Sequence, residues 1–139
     1  MNQHQVKANW KGAMYFEADG PGGMVKLDAP DDAGGSGKGN RSKPLMLTAL
    51  AGCTGMDIAA LIPKMRIDIA GFSIEVIGHL TEEHPQVYHK THIIYTFTGP
   101  NPDTKKIEQA VDLSFEKYCG VITMFKAFSE VTKEIRYLS

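Results

Sequence analysis

Between Pro44 and Met65 the chain is apolar at nearly every position, and Leu47, Leu50, Thr54, Ile58, Leu61 and Met65 recur at steps of three and four. That period places these six side chains on one face of a helix. Pro44 suits the first helical turn, where a missing N–H costs little, and Ser42 is a cap just before it. Pro63 is expected to kink or end the helix. A helix of about 20 residues that is apolar nearly all round has to be covered on several sides, so it belongs at the centre of the fold.

The other elements arrange themselves around this helix. Residues 4–28 read as short strands separated by the turn signals Asn9-Trp10-Lys11-Gly12 and Asp19-Gly20-Pro21-Gly22-Gly23. Residues 29–43, with Gly34, Gly35, Gly37, Gly39, Pro30 and two aspartates, predict a mobile loop. Its glycine spacing fits neither a Walker loop nor a dinucleotide fingerprint. Residues 72–81 alternate, with Phe72, Ile74, Val76 and Leu80 on one face. Residues 87–98 are a second strand rich in Tyr, Ile, Thr and Phe, joined to the first as a hairpin through Pro85. Pro100-Asn101-Pro102-Asp103 starts a second helix with Ile107, Val111, Ser114 and Tyr118 as its inner stripe. Gly120 interrupts it, a short helix over 121–128 follows, and residues 130–138 form the last strand. Strands, long helix, strands, helix, strand is an α+β order, with two helices packed on sheet.

A length of 139 residues predicts a single domain, long enough to bury about two thirds of its unfolded-chain surface without disulfides or metals. The balance of 15 basic against 16 acidic residues supplies no clustered basic surface for a nucleic acid. No apolar run is expected to reach the roughly 18 residues of a membrane span, and the first residues lack a signal peptide's apolar core. The expected setting is the cytoplasm, where two distant cysteines are either unrelated buried thiols or a catalytic pair.

The surroundings of the two cysteines favour chemistry. Cys53 stands in Leu-Ala-Gly-Cys-Thr-Gly-Met-Asp, flanked by Gly52 and Gly55. Glycine inside a helix costs about 1 kcal/mol against alanine, so each needs a reason: close packing, or room beside the sulfur for a small substrate. Asp57 follows Cys53 by one helical turn on the same face. An unpaired carboxylate there raises a thiol pKa, so Asp57 makes sense for a nucleophile only if it holds a cation near the sulfur. Cys119 stands at the break between two helices, where a helix N-terminus favours thiolate. Of the histidines, His89 and His92 lie on a strand at an odd spacing, which sends them to opposite faces, and no third ligand joins them or His79; no metal site is expected.

Taken in order, Pro-Leu-Met-Leu-Thr-Ala-Leu-Ala-Gly-Cys-Thr-Gly-Met-Asp over 44–57, a hairpin, and Glu-Lys-Tyr-Cys-Gly-Val over 116–121 resemble the OsmC/Ohr family of osmotically inducible and organic hydroperoxide resistance proteins, in its general OsmC-like branch. The resemblance covers nearly the whole chain. It implies an intertwined homodimer in which antiparallel sheets wrap two central helices, with the active sites at the subunit interface. It makes Cys53 the peroxide-attacking thiol and Cys119 the resolving thiol, with an organic hydroperoxide as substrate, an external dithiol (a lipoyl group in the family precedent) as reductant, and no cofactor, nucleic acid or membrane. Family peroxidases add an Arg near the reactive thiol and a Glu at the start of the central helix. Here Pro44 stands at the helix start and the first arginine is Arg41, which becomes the candidate cation ahead of Lys43 and Arg66.

The cation carries weight in this scheme. A thiol of pKa about 8.5 is only about 3% ionised at pH 7, so lowering it by two units yields only about 25-fold. Faster reduction needs a positive group to stabilise the departing alkoxide. Twelve residues of straight helix span about 18 Å, so Arg41 reaches a Cys53 only by a folded-back loop or by serving a partner chain. The rival reading is a non-catalytic member of the same fold, either binding a small apolar molecule or acting in thiol exchange or sensing.

Overall fold

A computed structural model describes residues 2–139, which gather into two compact units that meet between Met46 and Leu47. In the first unit β1 (Lys7–Trp10), β2 (Phe16–Gly20) and β3 (Gly23–Leu27) form an antiparallel meander. The segment after β3 is pinned, unlike the mobile loop its glycines predict. Asp28, 7% exposed, accepts from the backbone N–H groups of Ala29, Ser36 and Lys38 and from the Ser36 hydroxyl. The glycines serve close approach: a Cβ on Gly35 would collide with the Ala29 carbonyl oxygen, and one on Gly39 would sit 2.6 Å from the Lys26 carbonyl carbon.

Burial opposes the charge on Asp28, but the donors from Lys38, Ser36 and Ala29 outweigh it and hold the carboxyl below its ordinary value. A depressed carboxyl stabilises the fold above its unfolded pKa, and this support is lost as pH falls through the folded value. Asp28→Asn is therefore expected to raise proteolysis within 29–40 on the order of tenfold at neutral pH, and acid below about pH 4 is expected to do the same to the native chain. Limited proteolysis read by mass spectrometry checks both; equal cleavage in variant and native chain would show the loop to be held by something else.

The helix α1 (Ser42–Met65) begins in the first unit and runs through the second. Pro44 occupies its first turn and Pro63 its last, where Arg66 in a left-handed conformation (φ 55°) closes the helix. The N–H of Arg66 returns to the Pro63 carbonyl and that of Ile67 to the Ile62 carbonyl, so a side-chain-bearing residue takes the place glycine usually holds. At 24 residues α1 is long and apolar enough to cross a membrane, which corrects the expectation that no run approaches that length. One face, however, is built into the protein core through Leu50, Thr54 and Ile58.

The second unit carries β4 (Gly71–Leu80), β5 (Tyr88–Thr98) and β6 (Glu130–Leu138) in that order. β4 and β5 form the expected hairpin, but β6 runs parallel to β5, so this sheet is mixed rather than antiparallel. The cause is the connection: α2 (Thr104–Leu113), a π-helical turn (Ser114–Tyr118) and α3 (Gly120–Lys126) carry the chain back across before β6 begins. Asp103 caps α2 by accepting from the Lys106 N–H. Ile93, Tyr95 and Phe97 of β5 meet Leu50 and Ile58 of α1 and Ile107 and Val111 of α2 in one core. Tyr118, expected on the inner stripe, is 51% exposed, and Phe115 is buried. The π-helical turn explains the exposure of Tyr118, because its wider turn rotates the side chains that follow off the α-helical stripe.

Candidate functional site

The site is assembled entirely within the second unit. Cys53 comes from the middle of α1, where it is half-buried and packs against the core cluster. Cys119 is the junction between the π-helical turn and α3; its backbone is extended, its N–H bonds the Ser114 carbonyl at 2.9 Å, and its side chain is 1% exposed. Both cysteines are free thiols, and Cys53 packs against the cluster that holds Cys119, near enough to raise the Cys119 pKa. The fold therefore brings together the two residues that the motifs single out.

Helix geometry predicts a thiolate-friendly Cys119, and the local contact is present: its sulfur caps α3 by accepting from the Ile122 N–H at 3.4 Å. Burial nevertheless dominates and pushes this thiol up to about 11; the Ile122 N–H pulls the other way, and the neighbouring Cys53 thiol adds to the rise. A seven-residue helix has too small a dipole to offset removal from water. Cys119 is thus a neutral S–H at pH 7.

This shift predicts alkaline weakening of the fold. Between the ordinary thiol value and about 11 the unfolded chain has lost the Cys119 proton and the folded chain has kept it, so stability falls as pH rises. The slope of one proton is roughly 1.4 kcal/mol per pH unit at most. Denaturant titrations at pH 8, 9 and 10 are expected to show falling midpoints in the native protein and a flatter profile in Cys119→Ala. An equally steep profile in both would assign the weakening to another group, with buried Tyr95 next, since burial pushes its hydroxyl up to about 12.

Asp57 also faces this region. Its carboxylate accepts from the Ser114 hydroxyl at 2.8 Å, so the partner recorded for it is a hydroxyl across the helix pair. The two glycines beside Cys53 separate into different roles. A Cβ on Gly55 would come within 3.0 Å of Ile74 Cδ1, so Gly55 lets α1 lie close on β4, whereas a Cβ on Gly52 would meet nothing within 4 Å. Met56, one turn beyond Gly52, is 74% exposed.

Arg41 lies in the first unit, one residue before α1. It lines a recess of about 330 Å³ walled by Met14, Phe16, Leu27 and Pro30, with Asp28 at its side. Of the histidines, His92 has both ring nitrogens engaged, by Thr132 at 2.7 Å and by Glu134 at 2.8 Å. Sequence inspection passed over Thr54 and Ser114 as site residues because both fall on apolar helical stripes and read as core. Both are fully buried, and they bond each other at 2.7 Å beside the thiol pair.

Comparison with known proteins places this architecture. The chain is 26% identical over 130 residues to Protein YhfA of Escherichia coli (strain K12), spanning 92% of this chain and 93% of that one. A hypothetical protein from Aquifex aeolicus VF5 superposes over the full length of both chains with a TM-score of 0.81 at 27% identity. The organic hydroperoxide resistance protein OhrB of Bacillus subtilis shares the fold, with a TM-score of 0.64 at 18% identity, over 96% of this chain and 98% of that one. The OsmC-like protein profile matches residues 35–134, a stretch that carries α1, β4, β5, the start of β6 and both thiols. The chain belongs to the OsmC-like protein family.

Proposed function

We propose that this protein reduces organic hydroperoxides through the Cys53 and Cys119 thiols, as a homodimer in the cytoplasm, with an external dithiol restoring the reduced pair. The observation that carries the reading is that the fold packs a half-buried thiol, Cys53, against the core cluster that holds a fully buried one, Cys119, far from it in sequence. Cys53, the more exposed, attacks the terminal peroxide oxygen as thiolate; the O–O bond breaks, the alcohol leaves with a proton, and Cys53 becomes a sulfenic acid. Cys119 then attacks the Cys53 sulfur. The S–S bond forms, and the hydroxide lost from the sulfenic acid takes up the Cys119 proton as water.

A second chain supports the site by covering what one chain leaves bare. On α1, Met56 is 74% exposed and a Cβ on Gly52 would meet nothing within 4 Å, although the helix is apolar there. Fold relationship to a protein named for organic hydroperoxide resistance supports the substrate class. The direct experiment supplies a panel of alkyl and aryl hydroperoxides and hydrogen peroxide to the reduced protein, with dihydrolipoamide and thioredoxin as alternative reductants. One equivalent of an organic hydroperoxide is expected to vanish per protein without reductant, and turnover to follow with a dithiol. No consumption of any peroxide would sink the reading in favour of ligand binding or thiol exchange.

Arg41 is the candidate cation for this chemistry. Arg41→Ala is expected to lower peroxide turnover at least tenfold, since its loss removes charge stabilisation from the departing alkoxide while leaving packing alone. Melting temperature and sedimentation should barely change. Unchanged turnover would transfer the role to Lys43 or Arg66.

A further inference from the structure

The unit that carries both thiols also holds a run of polar side chains that the redox scheme above does not use. Tyr95 OH lies 2.8 Å from Thr54 Oγ1, Thr54 Oγ1 lies 2.7 Å from Ser114 Oγ, and Ser114 Oγ donates to Asp57 Oδ2 at 2.8 Å. Tyr95, Thr54 and Ser114 are fully buried, whereas Asp57 at the end is half-buried. Each hydroxyl has one proton to give. Ser114 spends its proton on Asp57, so Thr54 must donate to Ser114 and Tyr95 to Thr54. The chain therefore has one direction, from the sheet through α1 to the carboxylate.

Its members are placed where the thiols are held. Thr54 directly follows Cys53, and Asp57 is one turn beyond it on the same helix. Ser114 opens the π-helical turn that ends at Cys119, and the Ser114 carbonyl accepts the Cys119 N–H at 2.9 Å. Ser114 thus grips the Cys119 backbone with its carbonyl and the Cys53 helix with its hydroxyl, while Tyr95 ties the same helix to β5. Apolar packing alone tolerates small slips of one helix along another. A hydroxyl chain does not, because any slip leaves buried polar atoms unpaired. Valine, alanine and phenylalanine match the shapes of Thr54, Ser114 and Tyr95, so filling the core does not require the hydroxyls.

We infer that the Tyr95–Thr54–Ser114–Asp57 chain positions the two cysteines, holding the Cys53 helix in register with the Cys119 turn so that the pair closes rapidly and stably as a disulfide. Ser114 and Thr54 are positioning residues here, acting through the cysteines rather than on the peroxide. The inference rests on the redox-pair reading.

The test equilibrates the full-length protein with glutathione redox buffers at pH 7 and reads the Cys53–Cys119 disulfide fraction by alkylation and mass spectrometry. Thr54→Val and Ser114→Ala are each expected to lower the effective concentration of the pair at least tenfold, raising the two-electron potential by about 30 mV per tenfold. Thr54→Ser, which keeps the hydroxyl, is expected to stay within threefold of the native value. The first oxidation of Cys53 by peroxide should change less than threefold in every variant. Should Ser114→Ala fail to fold, Thr54→Val, Thr54→Ser and Tyr95→Phe carry the comparison, with Tyr95→Phe expected to lose at least threefold. Variants that melt earlier but keep the native potential would overturn the inference and leave a structural hydrogen-bond chain. A native protein that forms no Cys53–Cys119 disulfide would instead overturn the redox-pair reading.

Discussion

Cys53→Ser is expected to abolish hydroperoxide consumption, by about a thousandfold or more, while Cys119→Ser consumes one equivalent and stops. The asymmetry follows from where the fold puts each sulfur. Cys53 is half-buried on a helix with Gly52 beside it, where a Cβ would meet nothing, so a small oxidant can reach it. Cys119 is 1% exposed, and burial pushes its thiol up to about 11, so it is neither reachable nor ionised at pH 7. A thiol lacking both properties makes a poor first nucleophile. It still attacks a sulfenic acid formed on the neighbouring Cys53, because proximity replaces the missing reactivity. Removing the attacking group removes the reaction; removing its partner leaves the sulfenic acid with nothing to close on. Intact-mass measurement after one equivalent of peroxide decides the matter. Cys119→Ser should gain one oxygen at Cys53 and bind a sulfenic-acid-specific nucleophile, and the native chain should lose two hydrogens. Continued consumption by Cys53→Ser would remove Cys53 from the first step.

Met56→Lys is expected to convert a micromolar dimer into monomers, with a dissociation constant raised about a thousandfold. Met56 is 74% exposed in the single chain, so on a monomer surface a lysine there costs little. Buried in a core-like interface, the same ammonium would lack a partner and cost several kcal/mol, about 4 kcal/mol being a thousandfold. Gly52→Ala tests the same surface by bulk: an added Cβ meets nothing within 4 Å in the single chain, so a weakened dimer would point to a second chain packed there. An interface that covers an apolar central helix should bury on the order of 2,000 Å² or more in total. Sedimentation of the native protein as a monomer at micromolar concentration would sink the dimer and the interface site together. A Met56→Lys variant that remains a dimer would place the interface elsewhere.

Local pattern was enough to identify the strands, the hairpin, the central helix and the last strand. Their apolar periods of two and 3.6 residues are dictated by one-sided burial, and that is written in consecutive residues. The last strand lies at Glu130–Leu138, where the alternation places it. The prolines mark the first and last turns of α1, although the helix begins at Ser42 itself, which was expected as its cap, and runs through Pro63 to Met65. The two cysteine motifs were legible too, because a thiol flanked by glycines inside a helix, and a second at a helix break, are local oddities that packing alone rarely demands.

What the tertiary structure decided depends on which distant atoms meet. The direction of β6 followed from the crossover that precedes it, not from its own residues. A π-helical turn rotated Tyr118 outward, a change of phase that no sequence period records. The glycine-rich segment after β3 was held because one carboxylate, Asp28, gathers donors from residues up to ten positions away. Above all, the chemical state of Cys119 was decided by competition. A helix N-terminus is a local feature that lowers a thiol pKa, and burial is a global one that raises it. Only the folded core settles which wins, and in this protein burial does.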